Sequence, residues 1–360
     1  MDSLLLITGA GASYDIIAID RVPIQNITYR PPLTKDLFLF DTALADGSPY
    51  SANCLQEHPI ASQVGHDFYN RFGKDSDVAN AVSLEEYLKE LKNSGSPVVR
   101  KKFWAVPVYF FYLFHEISKN YTPTRTPGLP SNYQSLLDRV SESNYDQIIW
   151  LNLNYDLLAD YVIRDSISNK LENFDDYMGL EIQGKNTIKL KYTKPHGSID
   201  WFKTIDESRT NLHEIQIGRA PDGFEQLLSK EVIKAKVAPD GGIAGRPHNG
   251  YPAITAPIGE YKFIYQRHID TIIPDLRNIT SVLCIGFSAL DIDILDLVNN
   301  NLTKIEKLKI VNGSEEAAEQ AYERLSDYCK KVKIVAKQVS IFNGGFTQFM
   351  QSEISEWLRK

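Results

Sequence analysis

The sequence predicts an α/β protein built on a doubly wound parallel sheet, and three observations carry that reading. Short apolar runs recur at Leu4 to Thr8, Gln147 to Leu151, Ser281 to Ile285 and Lys307 to Val311, as expected of strands covered on both faces of a parallel sheet. Helical patterns follow the later three, at Asn154 to Ile163, Leu290 to Leu297 and Ser314 to Leu325. Ser314 stands where an N-cap serine belongs. Strand and helix alternating in this way is the grammar of a Rossmann-like core, with Leu4 to Thr8, ended by Gly9, as its central strand.

The elements between these strands can be read in order. Ser83-Leu84-Glu85-Glu86 and Ser131-Asn132-Tyr133-Gln134 both fit the capping box, in which a serine and the Glu or Gln three residues on satisfy exposed N–H groups, so each is expected to open a helix. Val98 to Lys119 has helical apolar spacing and is rich in aromatics (Phe103, Trp104, Tyr109, Phe110, Phe111, Tyr112, Phe114). Pro107 is expected to kink it. Apolar stripes normally pack, so these rings read as the core of a helical subdomain rather than as a ligand cage. Thr187 to Thr193 alternates like a strand, and Thr204 to Pro252 is rich in turn residues such as Pro239-Asp240-Gly241-Gly242. The latter is expected to be a loop or lid.

At 360 residues and about 150 residues per domain, the chain has room for two units or for one large unit with insertions. The motifs favour a single domain over 1–360: a core of 1–50, 131–203 and 253–345, a helical insertion at 51–130, a loop-rich insertion at 204–252 and a C-terminal helix at 346–360. A formal charge of −7 argues against direct nucleic-acid binding. Hydrophobic residues at 43% and charged residues at 24% exclude a disordered, collagen-like or coiled-coil chain. The longest apolar run, Val106 to Phe114, is about half the roughly 20 residues a membrane crossing needs. Met1-Asp2-Ser3 leads straight into an apolar strand without the basic region of a secretory signal, so a cytoplasmic location is expected. Cys54, Cys284 and Cys329 are scattered and form no Cys-x-x-Cys pair, so reduced, mostly buried thiols and no zinc site are expected.

The chemistry-bearing residues gather at strand ends. Gly9-Ala10-Gly11-Ala12-Ser13 follows the first strand, where glycines let a backbone approach a phosphate and free N–H groups can hold it. The strict dinucleotide fingerprint fails, because Tyr14 stands at its third glycine and Asp20 comes too early for its acidic residue. The plainer alternative is a tight strand-to-helix turn. Asn152-Leu153-Asn154-Tyr155-Asp156 ends the second strand, where Asn154 and Asp156 can meet a ligand or can cap the next helix. Lys194-Pro195-His196-Gly197-Ser198 follows Thr187 to Thr193; His196 suits proton transfer near neutral pH, and Gly197 would leave room for a ligand beside the ring. The other six histidines read as ordinary surface or core residues. Gly286-Phe287-Ser288-Ala289-Leu290-Asp291 and Val311-Asn312-Gly313-Ser314 end the third and fourth runs. Ser288 can donate to a phosphate or sugar oxygen, and Asn312 can bond a ribose. If a dinucleotide binds here, Glu315 and Glu316 beside that ribose would repel a 2′-phosphate and favour NAD over NADP.

In their order along the chain, the glycine turn with Ser13, Asn154-x-Asp156, His196-Gly197, Gly286-x-Ser288 and Asn312 resemble the sirtuin family. The resemblance spans Leu4 to about Asn312, with Thr42 to Ser131 and Thr204 to Gly250 contributing little. It implies a sirtuin-like fold that binds NAD+ through Gly9, Ala10, Gly11, Ser13, Asp156, Gly286, Ser288 and Asn312 and cleaves its nicotinamide–ribose bond. Asp156 would hold the nicotinamide carboxamide, Asn154 the ribose or a water below it, and His196 would be the general base. Two departures matter. The four-cysteine zinc module of deacylating sirtuins is absent, and Arg30-Pro31-Pro32-Leu33-Thr34 with Leu37-Phe38 stands where their arginine segment would be.

The Asn-Tyr-Asp form, the turn ending in Asp291 and the Pro-containing stretch Tyr251 to Lys262 look more like the sirtuin-like NADases of bacterial anti-phage defence. That likeness implies a homo-oligomeric, NAD-depleting effector of abortive infection, working with a separate sensor such as a HerA-type hexameric ATPase. The chain itself carries no Gly-x-x-x-x-Gly-Lys-Ser/Thr motif. The expected activity is therefore an NAD+ glycohydrolase giving nicotinamide and ADP-ribose. A non-catalytic NAD or ADP-ribose binding module and an NAD-dependent protein deacylase are the alternatives.

Overall fold

The computed structural model of the chain describes residues 2–16, 29–39, 49–73, 81–122, 131–167, 171–206, 210–255, 263–330, 333–334 and 339–359. Among the described residues, seven strands form the main sheet, in the order Val339–Phe342, Lys307–Val311, Ser281–Ile285, Ser3–Thr8, Gln147–Asn152, Thr187–Thr193 and Leu180–Gln183. All neighbours are parallel except the last pair. The expected strands are there within a residue of their predicted bounds, and the first is central, with three strands on either side. The two edge strands were not anticipated, because each is only four residues long and neither is a fully buried apolar run: Leu180–Gln183 buries every second residue, and Val339–Phe342 buries none fully.

Successive side chains of the central strand enter opposite layers, as strand geometry requires. Leu4 and Leu6 pack with Tyr133, Leu136, Trp150 and Phe349, under the helices Asn132–Ser141, Leu158–Ser166 and Gly345–Ser352. Leu5 and Ile7 pack with Ile269, Ile294 and Ala318, under Gln266–Leu276, Ile292–Asn301 and Glu315–Tyr328. The sheet is thus doubly wound. A third cluster lies outside it, formed by the long helix Pro97–Asn120, the strands Gly197–Thr204 and Gly250–Ile254 and the helices between the first two sheet strands.

Several expectations need adjustment. Ser83 lies inside a helix already formed at Ala81 (Ala81–Asn93) rather than opening it, whereas Ser131 is an N-cap and accepts from Gln134 N at 3.0 Å. The helix expected from Asn154 begins at Leu158. Pro107 sits within one uninterrupted helix, and the rings around it are packed core. The C-terminal helix is two helices, Gly345–Ser352 and Ile354–Arg359. Within the loop-rich stretch, Leu212, Ile215, Ala220 and Phe224 are buried against the long helix, so that part is seated on the helical layer. Of Tyr251 to Lys262, residues 256–262 lie outside the described residues.

His268 shows what the core does to a titratable group. It is 2% exposed and ringed by Phe174, Tyr177, Trp201 and Tyr265 at centroid distances of 4.7 to 6.0 Å. Nε2 lies 2.8 Å from the Phe174 carbonyl and Nδ1 3.3 Å from Thr193 Oγ1, partners that suit a neutral ring. Burial pushes its pKa from 6.5 down to about 4. The unfolded chain therefore takes up this proton first, and the stabilisation is whole above the unfolded value and lost as pH falls toward the folded one. The gap is worth about 3 kcal/mol. In urea unfolding at about pH 7 and about pH 4, the wild type should lose about 3 kcal/mol more than His268→Gln; equal losses would show that the ring stays protonatable in the fold.

Candidate active site

The candidate site residues each follow the carboxyl end of a strand of the main sheet, the edge where open α/β proteins bind ligands. The chain turns one way from the central strand to Gln147–Asn152 and later the other way to Ser281–Ile285, which makes the ends of Ser3–Thr8 and Ser281–Ile285 the switch point of the sheet. There the two turns meet backbone to backbone: Gly9 N donates to Ile285 O at 3.0 Å and Gly11 N to Gly286 O at 3.2 Å. A Cβ on Gly286 would stand 2.2 Å from Ala12 N, and Gly286 has φ +61°, a conformation that favours glycine. These glycines are required by chain packing. Contrary to expectation, the Gly9 and Gly11 N–H groups are already spent on protein carbonyls, so a phosphate at this turn needs other donors. Arg30 is buried beside the turn, its guanidinium 3.5 Å over the Tyr14 ring, Nε donating to Tyr14 O at 2.8 Å and its charge acting on Asp15.

Asn154 is drawn into this turn. Its Nδ2 donates to Gly9 O at 2.9 Å and to Tyr133 Oη at 3.2 Å, while its own N–H donates to Asn152 Oδ1 at 3.2 Å. Tyr133 Oη also lies 3.0 Å from Ser13 Oγ. The phenol therefore joins the glycine turn to the asparagine loop, a role that the Ser131 capping motif did not suggest. Asp156 is buried beside Ser13, and its Oδ1 accepts from Leu158 N at 3.1 Å. That local turn is why the helix starts late. Burial pushes the Asp156 carboxyl above its ordinary value, opposed by Lys194 and Ser13.

His196 stands on the same edge. Leu151 and Thr193 are register partners on adjacent parallel strands, and Asn154 and His196 each lie three residues beyond them. Gly197 has φ +85°, and a Cβ there would meet Ala253 O at 1.9 Å, so this glycine serves the turn and the approach of Gly250–Ile254 rather than a ligand. The imidazole Nε2 pairs with Asp291 Oδ2. Asp291 follows the strand Ser281–Ile285, three strand steps from the strand before His196, or roughly 14 Å at about 4.8 Å per step. The two loops must arch over the ends of both central strands to meet. Burial alone would push the imidazole below its ordinary value, but Asp291, with Asp293 and Glu85, outweighs burial and holds it above. Asp291 shows the converse: burial would raise its carboxyl, but His196 and the N–H groups of Ile294 and Asp293 hold it below its ordinary value. Asp291 also caps the helix Ile292–Asn301, its Oδ1 accepting from Ile294 N at 3.1 Å, so the helix expected from Leu290 begins two residues later.

The remaining candidates follow the strands Ser281–Ile285 and Lys307–Val311. Ser288 is exposed, and its carbonyl accepts from Arg324 Nη1 at 3.0 Å. Asn312 Nδ2 donates to Phe287 O at 3.4 Å and Ala317 O at 3.2 Å, bracing the Gly286 turn against the next helix. Ser314 caps that helix, accepting from Ala317 N at 3.2 Å. Among the described residues, no three His, Cys, Asp or Glu side chains are grouped to hold a metal ion, and no helix is long and apolar enough to cross a membrane.

No protein-family model matches the chain, and no curated protein is similar to it. Among solved structures it is similar to a Sir2 enzyme at 12% identity and TM-score 0.34, covering 99% of this chain and 92% of that one. It is also similar to a point mutant of a Sir2 homologue in complex with ADP-ribose, at 11% identity and TM-score 0.36, covering 99% and 91%. Likeness at that level says nothing of residue roles, which rest on the geometry above.

Lys194 organises the site from below. Its side chain is 0% exposed, and Nζ donates to Asp160 Oδ2 at 3.1 Å, Ser198 Oγ at 2.9 Å, Tyr155 O at 3.4 Å and Asp156 O. One ammonium thus ties the asparagine loop to the histidine loop. Lys194→Met leaves Asp160 as a buried, uncompensated charge and should cost about 3–5 kcal/mol. Lys194→Met with Asp160→Asn should recover much of that in denaturant unfolding, and equal losses in the two variants would discount the pair.

Proposed function

We propose that the chain is an NAD+ glycohydrolase that releases nicotinamide and ADP-ribose. The observation that carries this reading is the equivalent placement of Asn154 and His196, three residues beyond one register pair at the carboxyl edge of a doubly wound sheet. The order of motifs along the chain supports it. Asp156 would meet the nicotinamide carboxamide: a carboxyl that keeps its proton longer can both donate and accept, as the amide does. Gly9, Ala10, Gly11 and Ser13 would border the pyrophosphate, and Gly286, Ser288 and Asn312 the adenosine side.

The chemistry asks little of an acid. The bond from C1′ to the pyridinium nitrogen breaks with its electron pair going to the nitrogen, which leaves as neutral nicotinamide. A water oxygen bonds C1′ of the oxocarbenium-like sugar. Asn154 would orient that water or the ribose, and His196 would take the proton, so one proton is released per NAD+ consumed. Because Asp291 holds the imidazole above its ordinary value, the fraction able to accept a proton grows as pH rises. The acid limb of kcat/KM should therefore sit above that of an ordinary histidine, about 6.5. We further propose a role as an NAD-depleting oligomeric effector whose trigger is a separate partner, such as a HerA-type ATPase.

Chromatography of nicotinamide and ADP-ribose, with and without such a partner, tests the reading. Asn154→Ala and His196→Ala should keep the wild-type circular dichroism and lower turnover, the latter by about 10²–10⁴-fold. Undiminished turnover in either variant removes that residue's role, and intact NAD+ in every active assembly removes the reaction.

A further inference from the structure

We propose that Asp15, two residues beyond Ser13, is a positioning residue: its carboxylate clasps the helix Gly345–Ser352 to the glycine turn and so sets how that turn stands against the turn of Asn312. The clasp rests on hydrogen bonds, while its effect on NAD+ rests on reading the chain as a glycohydrolase.

The helix Gly345–Ser352 lacks a cap of its own, because Gly344 at its N-cap has no side chain, and the first N–H groups of a helix have no partner within it. Asp15, 332 positions away, fills the place: Thr347 N donates to Asp15 Oδ2 at 2.8 Å and Thr347 Oγ1 to Asp15 Oδ1 at 2.8 Å. The helix dipole favours a carboxylate at that end. Gly345 has φ +75°, and a Cβ there would stand 3.0 Å from Asp15 Oδ2, so a glycine keeps the seat clear. Asn132, buried at the start of the helix Asn132–Ser141, closes the junction. Its Nδ2 donates to Thr347 Oγ1 at 2.7 Å and to Asp15 O, and its N–H to Ile16 O at 2.8 Å.

The same helix start is bonded to the second turn. Gly345 N donates to Asn312 O at 2.9 Å, and Asn312 N donates to Phe342 O, at the end of the edge strand, at 3.0 Å. On the other side, Asp15 ends the short helix Ala10–Tyr14 that the glycine turn opens, its N–H donating to Gly11 O at 3.2 Å. One turn of helix thus touches both segments assigned to the dinucleotide, the pyrophosphate side and the adenosine side. Asn154 and His196, which would flank the bond that breaks, follow other strands, so the clasp acts on ligand binding rather than on the chemical step. Phe346, between Gly345 and Thr347, packs on Tyr133 at 5.8 Å and is untouched by the substitutions that test the clasp.

Amide hydrogen exchange of the full chain without ligand, over residues 9–16 and 343–352, tests the clasp. Asp15→Ala should speed exchange in both segments together by about 5–30-fold, the range that loss of a cap corresponds to. Thr347→Val, which keeps the shape and loses the hydroxyl, should speed both by less, and Thr347→Ser should match the wild type; this pair carries the test where Asp15→Ala fails to fold. Faster exchange in the helix alone, or in neither segment, overturns the clasp. In calorimetry with ADP-ribose, Asp15→Ala and Thr347→Val should bind more weakly than the wild type, and in an active assembly KM for NAD+ should rise with kcat changed less. ADP-ribose bound equally by every variant removes the positioning role. Coupled exchange in a wild type that neither binds ADP-ribose nor consumes NAD+ would sink the glycohydrolase reading and leave the clasp standing.

Discussion

The buried ammonium of Lys194 constrains the site more than any other group. A charge enclosed by protein must find its hydrogen bonds there or cost several kcal/mol, and the partners of Lys194 lie on three elements: Asp160 on the helix Leu158–Ser166, the carbonyls of Tyr155 and Asp156, and Ser198 at the head of the strand Gly197–Thr204. Satisfying it draws the asparagine loop and the histidine loop together. Asp160 in turn accepts from Tyr192 Oη at 2.9 Å, which accepts from Asn152 Nδ2 at 2.8 Å, so the polar network behind the site runs from Lys194 toward the central strand.

Above that network the site is electrostatically crowded. Asp291, Asp293 and Glu85 act on one imidazole. The resulting histidine is more basic than an isolated one, and its charge offsets the repulsion among the acids. The same arrangement spans the sheet edge, because the partners come from strands separated by the two central ones. The helices between the first two strands gain a role here beyond packing: through Phe110, Phe114 and Tyr155 they brace the loop that carries Asn154.

Much of the fold could be read in advance, for physical reasons that are local. Strands buried on both faces must be apolar throughout, which marked Leu4 to Thr8 and its partners. The serine caps at 131 and 314 follow from hydrogen bonds within a few residues. Asn154 and His196 were visible because polar residues directly after buried strands fall at the ligand-binding edge. The glycines at 9, 11, 197 and 286 were visible as glycines but not in purpose, since what they avoid is backbone remote in sequence: Gly286 against Gly11 and Ala12, Gly197 against Ala253.

The sequence by itself determined the winding of the sheet, the central place of its first strand and the edge at which the polar residues collect, because apolar periodicity and capping act over a few residues. Tertiary structure alone decided that Asp291 reaches His196, that Tyr133 bridges Ser13 and Asn154, and that Lys194 is buried. The physical reason is that charge pairing depends on distances across the fold, here between residues separated by tens to more than a hundred positions, and no local pattern encodes those distances.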